Sequence, residues 1–115
     1  MKQIKFYHNP RCSKSRQTLE IIRNQGHEPE VIKYLETPPS IKDIENILFM
    51  LELRPRELMR QNEAEYKANF SDSKLNDQDL IALMHEYPKV IERPIVINNN
   101  KAIIGRPPEI VLDII

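Results

Sequence analysis

The sequence is short of cysteine, with one, and of glycine, with two, and its 17 Lys plus Arg are matched by 17 Asp plus Glu over 115 residues. Each scarcity excludes something. A single thiol rules out an internal disulfide, a cysteine-based zinc cluster and an intramolecular CxxC couple, so any redox work must borrow a second thiol from another molecule. With Gly26 and Gly105 as the only glycines there is no glycine-rich cradle for a phosphate. Balanced charge leaves no global field to gather nucleic acid or an anionic membrane, although local patches remain open. The opening MKQIKFYHNPRCSK lacks the apolar stretch of about 7 to 15 residues that a signal peptide needs, and no later run approaches the ~20 residues of a membrane span. The expectation is a soluble cytoplasmic protein with no nucleic-acid or membrane partner. Its length suits one domain, residues 1–115, close to the common size of about 100 to 150.

What is present is gathered near the start. The stretch Phe6–Arg16, FYHNPRCSKSR, surrounds the lone Cys12 with Arg11, Lys14, Arg16 and His8. KQIKFYH reads as a short strand, Asn9-Pro10 breaks it, and Ser15, Leu19 and Ile22 fall on one face of a following helix that Gly26 ends. Cys12 therefore stands at a helix start. EVIKYL makes a second strand, and Ser40-x-x-Asp43 is a capping signal before Ile41, Ile44, Ile47, Leu48 and Leu51, a helix of about three turns. Pro55 opens a helical stretch through RELMRQNEAEYKA, and Asn76 with Asp79 opens another carrying Leu80, Leu83, Met84 and Tyr87 before Pro88. PIVIN and KAIIG, joined at Asn98-Asn99-Asn100, form a hairpin, and EIVLDII after Arg106-Pro107-Pro108 reads as a short apolar helix. A β-α-β unit followed by helices and a hairpin predicts a small mixed four-stranded sheet covered by helices.

A thiolate is the nucleophile, and an ordinary cysteine needs a neighbouring positive potential to ionise at neutral pH. A helix N-terminus, Arg11, Lys14, Arg16 and a charge on His8 would each supply it, and the same groups would attract an oxyanion. The plainer reading stays open beside this one: a lone cysteine as a small buried hydrophobe, His8 as a structural hydrogen bonder, Ser15 as a helix-start hydroxyl and the cations as solvated charges. A tyrosine-phosphatase-type loop needs arginine six residues after the cysteine, and that position is Thr18.

YHNPRCSKSRQTLEIIRNQG, with LMRQNEAEY and ERPIVINNNKAIIGRPPEIVLDII following in order, resembles the ArsC family of arsenate reductases coupled to glutathione and glutaredoxin. The resemblance implies a thioredoxin-like fold with a helical insertion. It implies a catalytic Cys12, a thiolate-supporting His8, oxyanion-holding Arg60, Arg93 and Arg106, and a cis bond before Pro94; no metal and no tightly bound cofactor are expected. Ser15 stands where a CxxC enzyme keeps its resolving thiol and is a candidate to bond the anion or thiolate. The implied substrate is arsenate or a similar oxyanion, with glutathione as co-substrate and glutaredoxin as partner. The chain is similar to a shorter branch of the family, because it stops at Ile115 without the C-terminal extension of the best-characterised members and carries Arg11 and Lys14 where those members can carry small or neutral residues. Two alternatives stand beside arsenate reduction: a glutathione-dependent thiol oxidoreductase acting on mixed disulfides, and an Spx-type regulator binding RNA polymerase. The second usually relies on a CxxC switch, which Cys12-x-x-Ser15 cannot form.

Overall fold

The computed structural model describes residues 3–115. Strand β1 is Lys5–His8, helix α1 Ser13–Asn24, β2 Glu30–Lys33, α2 Ile41–Leu51, α3 Ala64–Asn69, α4 Asp77–Glu86, β3 Ile95–Asn98 and β4 Lys101–Ile104. The strands form one sheet in the order β2-β1-β3-β4. β1 runs parallel to β2 and antiparallel to β3, and β3 antiparallel to β4, which gives the mixed thioredoxin-like sheet expected above. The part of the first strand that the sequence begins at Lys2 lies outside the described residues.

Two compact bodies divide the chain: the described residues up to Thr37 together with Arg93–Ile115, and the inserted Pro38–Glu92. In the first, alternation along β1 turns Ile4 and Phe6 to one face, where they pack with Leu19 and Ile22 of α1, Val96 of β3 and Val111. Burying side chains of this size contributes about 1.5–3 kcal/mol each. The stripe Ser15, Thr18, Leu19, Ile22 is the buried side of α1, so one helical face serves both this core and the polar end of β1. The helix closes at Gly26, whose φ of +87° allows the Gly26 N–H to reach Arg23 O at 3.0 Å and the His27 N–H to reach Ile22 O at 3.3 Å. The hairpin turns on Asn99 and Asn100, both left-handed at φ 52° and 64°, as the asparagine run predicts.

The inserted body is helical. Reciprocal capping boxes, Ser40 with Asp43 and Asn76 with Asp79, start α2 and α4. Two stretches differ from the sequence reading. Pro55 starts only a 3-10 turn, Pro55–Leu58, because Met59 goes extended and bridges antiparallel to Ile91 while Arg60 N–H bonds Val90 O; α3 begins only at Ala64. Tertiary pairing here outweighs local helix preference. The final apolar segment is likewise a 3-10 helix, Pro108–Asp113, short enough that the wider α geometry is never established. No helix among the described residues is long and apolar enough to cross a membrane.

Gly105 is the tightest point of the first body. A Cβ there would lie 2.7 Å from Thr18 Oγ1 and 2.8 Å from the Pro94 ring, whereas one at Gly26 would meet nothing within 4 Å. Gly105→Ala is therefore expected to lower unfolding free energy in urea by about 2–3 kcal/mol through overpacking. Gly26→Ala should cost only its left-handed conformation, about 1 kcal/mol. Equal losses would contradict the close-packing account.

Candidate active site

Period-2 alternation places His8 on the same face as Phe6, and their rings lie 5.3 Å apart. That face is the one α1 covers, so His8 Nδ1 meets Ser15 Oγ at 2.6 Å. The same hydroxyl accepts the Asn9 N–H at 3.0 Å. Ser15 is fully buried and His8 nearly so. Next the chain turns tightly: Asn9 Oδ1 accepts the Arg11 N–H at 3.0 Å and Asn9 O accepts the Cys12 N–H at 3.0 Å. This turn delivers Cys12, 8% exposed, to the N-cap position of α1.

An N-cap side chain is the one that free helix N–H groups address. The Cys12 thiol is shifted below its ordinary pKa. Burial pushes it up, and the N–H of Ser15, the hydrogen bond and charge of the Arg93 guanidinium, and the N–H of Lys14 together push it further down. The amide contacts are looser than a closed cap hydrogen bond. Arg106 Nη2 stands 3.7 Å from the sulfur.

The two arginines arrive through sheet register. Ile95 pairs with Ile104, so one residue further Pro94 faces Gly105 and Arg93 faces Arg106. The Gly105 N–H donates to Pro94 O at 2.9 Å, and Arg106 Nε donates to Arg93 O at 2.8 Å. Tyr7 pairs with Ile95, which carries the end of β1, and the loop to Cys12, to the same edge of the sheet. The bond before Pro94 is cis, as the resemblance implied, and the bond before Pro107 is cis as well. Arg93 Nε is buried and finds no acceptor among the described residues.

Cys12, His8, Ser15, Arg93 and Arg106 thus share one body and one end of its sheet. Arg60 belongs to the inserted body, where its Nη1 pairs with Glu63 Oε1 at 2.6 Å and its Nε lies 3.9 Å from Glu92 Oε1. His8 departs from the sequence reading in one respect. Burial, and then the charges of Lys33, Arg23 and Arg16, hold its pKa below the ordinary value, so it is neutral at pH 7 and adds no positive charge to the thiol. Sequence reasoning also passed over Asn9, which shapes the turn with both its side chain and its carbonyl; the asparagine before a proline was the available signal. It missed Glu63 and Glu92 too, although Glu63 stands three residues after Arg60, a spacing suited to an ion pair. Among the described residues no group of His, Cys, Asp and Glu is placed to hold a metal ion.

The histidine yields a pH prediction. Its folded pKa lies below the unfolded value of 6.5, so the unfolded chain binds the extra proton and stability falls as pH drops through that value. Urea unfolding at about pH 7 and about pH 5.5 should show a smaller loss for His8→Asn than for the native protein. An equal loss would mean that His8 is not held neutral.

Comparison with known proteins follows the same residues. The chain is 53% identical over 116 aligned positions to the uncharacterized protein YfgD of Escherichia coli K12, covering 99% of this chain and 98% of that one. It is 42% identical to an arsenate reductase of Yersinia enterocolitica, covering 100% of this chain and 82% of that one. A solved arsenate reductase from Vibrio cholerae superposes with a TM-score of 0.93 at 52% identity, over 97% of each chain. The ArsC family model matches residues 7–114, a span that takes in the thiol turn, the inserted body and both strand-end arginines, and this chain belongs to the ArsC family.

Proposed function

We propose that the protein reduces arsenate to arsenite, with Cys12 as nucleophile, glutathione as co-substrate and glutaredoxin as the final thiol donor. The observation that carries this reading is the meeting of Arg93 and Arg106 beside the single, ionisable thiol. Curated relatives and a solved structure named arsenate reductase support the substrate. No tightly bound cofactor is required.

Guanidinium groups suit the task because their planar forks give paired hydrogen bonds to tetrahedral oxyanions and never deprotonate. The buried, unpaired Nε of Arg93 is a donor that an arsenate oxygen would satisfy. Cys12 thiolate forms the S–As bond, and one arsenic oxygen takes up protons and leaves as water. Glutathione sulfur replaces a second oxygen in the same way. A glutaredoxin thiolate then attacks the glutathione sulfur. A disulfide forms, and the electron pair of the broken S–As bond stays on arsenic, taking it from the +5 to the +3 state. Water cleaves the remaining bond to Cys12, restoring the thiol and releasing arsenite.

His8 and Ser15 act in this scheme as positioning residues: their hydrogen bond and the one from Asn9 hold the turn that aims Cys12. Arg60, which the family resemblance offers as a third oxyanion contact, is paired with Glu63 and Glu92 inside the inserted body.

The test is arsenate-dependent NADPH consumption with glutathione, glutaredoxin and glutathione reductase. Cys12→Ser should abolish turnover. Arg106→Gln should lower kcat/KM by about 10- to 100-fold, as expected for loss of one charge-assisted contact to a developing anion. Absence of turnover in the native protein, with Cys12 still reactive, would overturn arsenate as substrate and favour a mixed-disulfide substrate.

A further inference from the structure

Cys12 has no partner thiol in its own chain, so on the reading above an outside thiol must approach it, and the surface around it decides which thiol is favoured. Residues from Gln3 to Leu19 include no Asp or Glu. Exposed Arg11, Lys14, Arg16 and Lys33 pair with no carboxylate among the described residues, whereas Arg23 and Arg54 each have one and Arg60 has two. In a chain of zero net charge, this is a local and uncompensated excess.

Arg16 and Lys33 are placed by structure. Lys33 ends β2 directly opposite His8 in the parallel register. Arg16 sits one helical turn after Cys12, its N–H on Cys12 O at 3.0 Å. Its Nη1 is anchored on Pro10 O at 2.8 Å, inside the turn that carries the thiol. The remaining N–H groups of that fork have no acceptor among the described residues. Both charges are felt at the base of the turn, where they help to keep His8 neutral.

We infer that Arg16 and Lys33 form a recognition rim for the carboxylates of a small anionic thiol, of the size and charge of glutathione, as its sulfur reaches Cys12. Arg16 offers a planar fork to one carboxylate and Lys33 a mobile point charge to another. A sulfur on a slender chain suits a target that is only 8% exposed. The anionic thiol is steered toward the site and held with its sulfur inward, while the strand-end arginines stay available to the oxyanion.

The experiment uses the full chain in its reduced form and contains no arsenate, so it stands whether or not arsenate is turned over. Cys12 thiolate attacks a disulfide, a protein–S–S bond forms, and the departing sulfur leaves as a thiolate with the electron pair. Second-order rate constants are measured with glutathione disulfide, which is anionic, and with hydroxyethyl disulfide, which is neutral. Dividing the first by the second removes any change in the thiol itself. The ratio is expected to fall about tenfold in Arg16→Gln/Lys33→Gln, the combined effect of two exposed ion pairs. It should fall further in Arg16→Glu/Lys33→Glu, and about 0.5 M salt should lower the native ratio toward that of the neutral variant. A ratio unchanged within about twofold in both variants would overturn the rim, given that two exposed pairs predict more. So would a loss confined to exchange with glutathionylated glutaredoxin, which would make the surface a docking site for a protein.

Discussion

The antiparallel register of β3, held between β1 and β4, is the constraint on which the site depends. It sets Pro94 against Gly105 and Arg93 against Arg106, and it brings the end of β1 to the same edge. A slip of one residue would send every side chain of β3 to the opposite face and part the arginines from the thiol. Such a slip is opposed by the core, since Val96 would leave its contacts with Phe6, Ile22 and Val111. The chemistry at the sheet edge is thus secured by apolar packing several residues away. Gly105 belongs to the same arrangement, because only a missing side chain lets β4 approach Pro94 and Thr18 so closely.

Charge is distributed with comparable economy. Burial alone would leave Cys12 protonated at neutral pH, and each unit of pKa shift against that tendency corresponds to about 1.4 kcal/mol. Fixed helix amides and a strand-end guanidinium provide the shift. His8, a candidate cation on sequence grounds, has its pKa lowered by its burial and by nearby cations. Its value is geometric, as a buried partner for a serine hydroxyl that also holds the Asn9 amide. The positive potential at Cys12 thus comes from helix amides and a guanidinium, not from a histidinium.

Much of this was legible in the residues themselves. The Asn-Pro break, the capping signals at Ser40 and Asn76, the asparagine turn and Gly26 each state a local backbone requirement, and each element they mark is present. Cys12 at the mouth of α1 followed from the same punctuation. Convergence of Arg93 and Arg106 was not readable from spacing, because it arises from strand register between residues far apart in the chain; it was anticipated only through the family resemblance. Two elements were misread for related reasons. The Met59–Ile91 bridge interrupts what local propensity would continue as helix, and the closing segment is too short for its apolar pattern to distinguish α from 3-10. The protonation of His8 was likewise hidden, since it depends on burial and on Lys33 across the sheet.

The central claim is that helix amides and Arg93 lower the pKa of Cys12 without help from a histidinium. Its most direct test is the ultraviolet absorbance of the thiolate followed against pH in the native protein and in Arg93→Gln. The account predicts a native midpoint below that of an ordinary thiol, about 8.5, and an upward shift in the variant. A native midpoint at or above the ordinary value, or one that Arg93→Gln leaves in place, would contradict it.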